Sequence, residues 1–132
     1  MTISPKKILL VHEDKEERGR LGIMLARFGH EIRFSNGGVN SQSLLTENDL
    51  VIVNDRLKGE TGFDFIQQLS KEQRQQVIFI TSTFWSGSFA RFQKLDVYEQ
   101  VSKPVDPLKL AVIVCDYFVS KEREPALDIK EA

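Results

Sequence analysis

The sequence predicts an α/β protein, a single doubly wound domain in which helices cover both faces of a five-stranded parallel sheet. Three observations predict this class. Short apolar runs recur along the chain, as in strands that are buried on both faces. Segments with apolar residues at helical spacing lie between these runs. The connections are short, and 132 residues suffice for one hydrophobic core, so we expect parallel strands joined by right-handed crossovers.

The first, third and fourth strands are predicted where apolar residues follow one another without a break. The first run stops at His12, and the third begins with three wholly apolar residues, starting at Leu50. Continuous runs of this kind suit central strands better than alternating patterns do. The five predicted strands are residues 8–11, 31–35, 50–54, 77–80 and 99–102.

The helices are predicted from apolar residues three and four positions apart. Gly29 is placed to end the first helix, while Asp106 caps the last one and Pro107 occupies its first position. The five predicted helices are residues 15–28, 39–46, 61–70, 86–94 and 107–119. We therefore expect a domain over residues 1–120. Residues 121–132, with mixed charges around a proline, are expected to be a solvated tail or the start of a linker.

The composition argues against some kinds of partner and cellular compartment. Charged residues make up 28% of the chain and the net charge is −1, so no basic face for nucleic acid is expected. No apolar stretch reaches the length of a membrane span or resembles a signal peptide, so no membrane contact is expected. Cys115 is the only cysteine, which excludes an internal disulfide. A cytoplasmic location follows as the expectation.

Polar residues stand directly after four of the predicted strands. Ligands of open parallel sheets bind outside the carboxyl ends of the strands, so these residues are the first candidates for a functional site. Acid, amide, hydroxyl and ammonium groups should meet at this edge. The residues are His12, Glu13 and Asp14, then Asn54 and Asp55, then Thr81 and Ser82, and finally Lys103 and Pro104.

Four motifs at these strand ends occur in a recognisable order: "ILLVHED", "DLVIVNDRLKGETGFD", "VIFITS" and "SKPVDPLKL". Through them the chain resembles the receiver domain of bacterial two-component response regulators, over about residues 6–119. The resemblance implies a flavodoxin-like (βα)5 fold with strand order 2-1-3-4-5. It also implies a role in phosphorelay signalling and no enzymatic turnover of its own.

The resemblance implies roles for the residues at the strand ends. In a typical receiver an acidic pair and an aspartate bind Mg²⁺, and that aspartate accepts a phosphoryl group. A hydroxyl and a lysine contact the phosphoryl oxygens, and a cis proline follows the lysine. The matching positions are His12 and Glu13 for the acidic pair, Asn54 for the phosphoacceptor, Thr81 for the hydroxyl, Lys103 for the lysine and Pro104 for the cis proline.

The chain departs from this pattern where the chemistry is most demanding. The amide of Asn54 is uncharged and cannot form an acyl phosphate, and His12 replaces an acid. With Glu13 as the one clear ligand, Mg²⁺ should bind weakly and no other cofactor is expected. We therefore predict a pseudo-receiver that works by protein interaction, with a degenerate phosphorylation pocket in which Lys103 contacts Asn54 and Glu13.

Two alternatives remain open from the sequence. In the first, Asp55 is the phosphoacceptor and Glu13 and Asp14 bind Mg²⁺. Strand residues alternate between faces, so we expect Asp55 to point away from the place that Asn54 occupies. In the second, the chain is a flavodoxin-like binder of a small ligand, although it lacks a phosphate-binding loop after its first strand.

The expected partners are a histidine kinase, an output protein or a second copy of the chain. Aromatic residues concentrate around the predicted fourth helix, where a short helix can bury only one stripe of them. A homodimer through the fourth helix, fifth strand and fifth helix is one possible use of this face. The candidate interaction residues are Trp85, Phe89, Phe92, Tyr98 and Gln100.

Overall fold

The computed structural model describes the backbone of residues 5–37, 41–82 and 94–131, and the side chains of residues 5–37, 43–82 and 94–122. Its strands are β1 (Lys7–Val11), β2 (Glu31–Ser35), β3 (Leu50–Asn54), β4 (Arg56–Leu57), β5 (Glu60–Thr61), β6 (Val77–Thr81) and β7 (Glu99–Ser102). The main sheet has the order β2-β1-β3-β6-β7, and all its neighbouring strands are parallel. β4 and β5 form a separate antiparallel hairpin, so the main sheet has five strands. Counted along the chain, these five strands have the predicted order 2-1-3-4-5, and the predicted fold is confirmed.

The described helices are α1 (Lys15–Arg27), α2 (Ser41–Glu47), α3 (Gly62–Gln67), α4 (Lys71–Arg74) and α5 (Pro107–Glu131). The helix over residues 61–70 is shorter than predicted: α3 ends at Gln67, and α4 lies beyond the predicted segment. Ser70 caps the start of α4: its hydroxyl accepts from the N–H of Gln73, and the Gln73 side chain accepts from the N–H of Ser70.

The last helix also differs from the prediction. α5 runs to Glu131 instead of ending near Val119, so residues 121–131 continue the helix. The prediction placed a break there because a proline in a helix interior usually disrupts it. None of the described helices is long and apolar enough to cross a membrane. The predicted helix over residues 86–94 lies almost wholly outside the described residues, and its last residue, Lys94, is in a turn.

The sheet separates two apolar clusters because successive residues of each strand face opposite sides. In β3, Leu50 and Ile52 belong to the cluster on the side of α1 and α5. Val51 and Val53 belong to the cluster on the side of α2 and α3. All five residues of β3 and of β6 are buried, so these two central strands hold the strand ends of the candidate site in fixed positions.

Gly62 fixes the path of the chain beyond β3. After β3 the chain makes the β4–β5 hairpin and returns, and the N–H of Gly62 donates to the carbonyl of Asp55 at 2.9 Å. A Cβ at position 62 would lie 2.0 Å from the carbonyl oxygen of Asn54, so only glycine fits there. The "TGFD" motif therefore positions Asn54 and Asp55 through a close backbone approach.

Candidate functional site at the carboxyl edge of the sheet

A polar pocket of about 270 Å³ lies at the carboxyl ends of the central strands. Its position agrees with the general location of ligand sites in open parallel sheets. Most of the predicted site residues meet here, whereas Thr81 is buried at the end of β6. The lining residues are His12, Glu13, Asp14, Asn54, Arg56, Ser82 and Lys103.

Asp55 is the residue that contacts Lys103. One oxygen of its carboxylate, Oδ1, accepts from the Lys103 ammonium at 2.8 Å. The other, Oδ2, accepts from both the backbone N–H and the hydroxyl of Ser82, each at 2.9 Å. The prediction that Lys103 contacts Asn54 and Glu13, with Asp55 turned away, is therefore wrong.

The reason lies in where β3 ends. Alternation between the two faces of a sheet applies to residues within a strand. β3 ends at Asn54 and the chain bends at Asp55, so the side chain of Asp55 is no longer bound by that rule. The bend directs its carboxylate along the edge of the sheet, past the end of β6 at Ser82 and as far as Lys103 beyond β7.

The carboxylate of Asp55 is held in its charged form. Burial by itself raises its pKa, but the hydrogen bond from Lys103 and those from the N–H and hydroxyl of Ser82 outweigh burial, so the pKa lies below its usual range. The Asp55 side chain is 14% exposed and that of Lys103 31% exposed, so the pair is only partly open to solvent. Charge-assisted hydrogen bonds in such surroundings are stronger than those between neutral groups.

Asn54 occupies a buried place at the end of β3. Its side-chain amide donates to the carbonyl of Arg56 at 3.0 Å, which supports the start of the β4–β5 hairpin. Its Oδ1 is buried and has no hydrogen-bond partner among the described residues. An amide held in this way contributes a donor and an acceptor, but no charge.

His12 is buried beside the pocket and is 3% exposed. Its Nδ1 accepts from the N–H of Asp14 at 3.1 Å, so in the neutral ring the proton is on Nε2. That Nε2 is buried without a partner in the described part of the chain. Burial, and then the charge of Lys103, lower the pKa of His12, which favours the neutral ring near pH 7.

Asp14 serves as the cap of α1. Its Oδ1 accepts from the N–H groups of Glu16 and Glu17, at 2.9 and 3.2 Å. Such a cap satisfies donors that the first turn of a helix leaves open. The alternative in which Asp14 serves as a Mg²⁺ ligand therefore competes with a structural role for the same carboxylate.

The lysine and the proline after β7 are placed as the resemblance implies. The N–H of Lys103 donates to the carbonyl of Thr81 at 3.0 Å, and the Lys103–Pro104 peptide bond is cis. Arg20 of α1 donates to the carbonyl of Val105 at 2.8 Å and ties this loop to the first helix. The ammonium of Lys103 is thus carried on a loop that is anchored from two sides.

The donor set does not fit a Mg²⁺ site. Mg²⁺ requires oxygen ligands in near-octahedral geometry. Over the described ranges, no group of three or more His, Cys, Asp or Glu side chains could hold a metal ion. Asp55 is engaged by Lys103 and Ser82, Asp14 caps α1, and Glu13 is exposed.

The candidate interaction residues divide into two groups. Trp85, Phe89 and Phe92 lie outside the described residues. Tyr98 is half-buried and its ring packs edge-on against Tyr117, with centroids 4.9 Å apart, so part of it belongs to the core. Gln100 of β7 is also half-buried. An interface role for these residues stays a prediction.

Sequence reasoning missed two contributors to the site. Ser82 was noted as a strand-end residue without a role, yet it supplies two donors to Asp55. One of these is a backbone N–H, which no residue type signals. Arg20 was missed because its partner is a carbonyl 85 residues away, and a charge on a helix surface usually faces solvent.

Taken together, the topology and the strand-end residues define the receiver-domain fold of response regulators, and this fold is also what known structures share with the chain. The response regulator receiver domain protein (CheY-like) from Methanospirillum hungatei JF-1 superposes with a TM-score of 0.78 at 18% identity, over 92% of this chain and 99% of that chain. The signal receiver domain of a signal transduction histidine kinase from Syntrophus aciditrophicus gives a TM-score of 0.78 at 20% identity, over 89% of this chain and 93% of that chain.

The sequence comparison points in the same direction. The transcriptional regulatory protein GltR of Pseudomonas aeruginosa is 27% identical in an alignment of 115 positions that covers 83% of this chain and 48% of GltR. The chain thus spans about half the length of this curated relative. No protein-family model matches the chain.

Proposed function

We propose that the chain is a receiver-like module of two-component signalling that acts by binding other proteins and is not switched by phosphorylation at Asn54. The observation that carries this proposal is that Asn54, at the position that matches the phosphoacceptor, is a buried amide that donates to the carbonyl of Arg56. The lysine that would neutralise a phosphoryl group is already neutralised by a carboxylate of the same chain. The position that matches the phosphoacceptor is an amide.

The electrostatics of the pocket support the same proposal. Phosphoryl transfer relies on Mg²⁺ and fixed positive charge to stabilise the transferring oxygens. The described residues contain no cluster of metal ligands, and the ammonium of Lys103 is already paired with the carboxylate of Asp55. We propose that Mg²⁺ binds at most weakly through Glu13, and that the module has no cofactor and no catalytic activity.

We propose a second copy of the chain as the partner of α5. Leu108, Val112 and Val119 are each about half exposed, and with the half-buried Cys115 they follow the i, i+4, i+7, i+11 spacing of a helix that pairs with another helix. Leu108 and Val112 line a groove of about 500 Å³. The same spacing on both copies makes the stripe self-complementary, as a symmetric dimer requires.

A second candidate function is an active receiver in which Asp55 accepts the phosphoryl group. The specific observation in its favour is that Asp55 is ionised and lies against Lys103, where a nucleophilic carboxylate would be needed. Against it, both carboxylate oxygens already accept hydrogen bonds. Attack on phosphorus would depend on the remaining lone pair of Oδ1, without help from a well-formed metal site.

The test is an intact-mass measurement after incubation with acetyl phosphate and excess Mg²⁺. The proposal expects no gain of a phosphoryl group by the natural chain. The Asn54→Asp variant, which restores the acid at the matching position, is the comparison for partial recovery. A gain of one phosphoryl group by the natural chain that Asp55→Ala abolishes would establish the second candidate instead.

A further inference from the structure

We infer that two copies of the chain pair through α5 in antiparallel orientation, with Lys109 of each copy beside Asp116 of the other. The inference rests on the proposed function, in which a second copy is the partner of α5. It adds the orientation of the pair and the charged residues that set it. The contact surface is the α5 stripe, which is formed by Leu108, Val112, Cys115 and Val119.

Lys109 and Asp116 are opposite charges that border the α5 stripe on the same side, because residues seven apart lie on nearly the same side of a helix. Both are exposed, and no ion pair joins either of them to another described residue. A spacing of seven residues is about 10.5 Å along a helix, so the two charges do not neutralise each other within one copy. Each is therefore open to a charge on another molecule.

The order of these two charges distinguishes the possible orientations of a helix pair. In a parallel pair equal residues lie at the same level, so Lys109 is level with Lys109 and opposite charges stay about 10.5 Å apart along the axis. In an antiparallel pair, a two-fold axis between residues 112 and 113 brings Lys109 of each copy level with Asp116 of the other. Complementary charges of this kind set the orientation of helix pairs.

The α5 stripe requires nearly the same axis. It begins at Leu108 and ends at Val119, so its centre lies between residues 113 and 114. That centre is one residue, or about 1.5 Å, from the centre of the two charges. Antiparallel pairing about this point places Leu108 against Val119 of the second copy, and Val112 against Cys115. The apolar contacts and the charged pairs thus form together in one arrangement.

The groove at the start of α5 supports the same orientation. It measures about 500 Å³, and its apolar lining comes from Leu108, Val112 and Ile113. Antiparallel pairing carries the half-exposed Val119 of the second copy to this end of the helix. Parallel pairing places the two grooves opposite each other instead. An apolar side chain that enters an apolar groove is stabilised by its removal from water, so the antiparallel pair makes use of this surface.

The test is a charge swap on α5, measured as the dissociation constant of the dimer by sedimentation equilibrium. Lys109→Glu and Asp116→Lys should each weaken the dimer about tenfold, because each substitution turns both reciprocal pairs into like charges. The double variant restores opposite charges and should return to within about threefold of the natural chain. Lys71→Glu is the matched control, at an exposed residue of α4, and should leave the constant unchanged.

A dimer that neither single substitution weakens would overturn the antiparallel pairing, as would a double variant that stays as weak as the single ones. A natural chain that is monomeric would refute the proposed second copy as well. Circular dichroism establishes that each variant is folded. If a charge-reversed variant is not, Lys109→Gln and Asp116→Asn carry the same comparison, with an expected loss of about threefold each, and unchanged constants would again overturn the pairing.

Discussion

Replacing Gly62 by alanine should be among the most destabilising single-methyl changes in the chain. The added Cβ would lie 2.0 Å from the carbonyl oxygen of Asn54 and 2.9 Å from the ring of Phe79. Ordinary contacts begin near 3.4 Å, so the end of β3 or the start of α3 must move by more than an ångström. Both are buried, and overpacking of this kind costs about 3 kcal/mol or more.

Urea unfolding followed by circular dichroism measures this cost. The matched control is Gly19→Ala in α1, where an added Cβ meets nothing within 4 Å. There the better helix propensity of alanine should stabilise the chain by up to about 1 kcal/mol. A cost below about 1 kcal/mol for Gly62→Ala would refute the claim that close backbone approach fixes the Asn54–Asp55 bend.

Three further predictions concern charge, pH and assembly. Lys103→Met leaves the Asp55 carboxylate without its cation and should cost about 1–2 kcal/mol in urea unfolding, whereas Arg33→Met, which breaks a half-exposed pair at 3.8 Å, should cost less than about 0.5 kcal/mol. Equal losses of unfolding free energy in Lys103→Met and Arg33→Met would contradict the claim that the Asp55–Lys103 pair is the stronger one. The fold lowers the pKa of His12, so below about pH 6.5 the unfolded chain binds a proton at this residue while the native chain does not. The free energy of unfolding should therefore fall with decreasing pH by up to about 1.4 kcal/mol per pH unit. Urea midpoints at pH 7.5 and 5.5 should therefore differ less in His12→Gln. Val112→Glu should yield a monomer in light scattering, while Ile23→Glu, at a similarly exposed apolar residue of α1, should leave the mass of the natural chain unchanged; a natural chain that is already monomeric would reject the dimer.

The sheet could be predicted because its signals are local and redundant. The bounds of β2, β3 and β7 match their predictions residue by residue. The helices were harder. α3 ends at Gln67, before the predicted bound, and Ser70 caps a further short helix, α4, that the apolar spacing did not predict. The length of α5 was missed because Pro125 is a usual breaker.

The residues that make up the candidate site could be predicted, but which of their side chains contact one another could not. Strand order brings His12, Asn54 and Lys103 to one edge, and this much follows from topology. Which carboxylate reaches the ammonium depends on one bend after β3, where the two-residue alternation no longer applies. That bend is set by the return of the chain at Gly62. The direction of the Asp55 side chain therefore depends on a tertiary contact, which the pattern of residues along the sequence does not predict.

The amide spectrum of the natural chain under titration with Mg²⁺ and then acetyl phosphate tests the central claim most directly. With Lys103 neutralised by Asp55 and no phosphoacceptor at position 54, the account predicts no saturable shifts at the amides of Asn54, Asp55, Ser82 and Lys103. Saturable shifts at these amides that require Mg²⁺, followed by a second set of peaks on addition of acetyl phosphate, would contradict it.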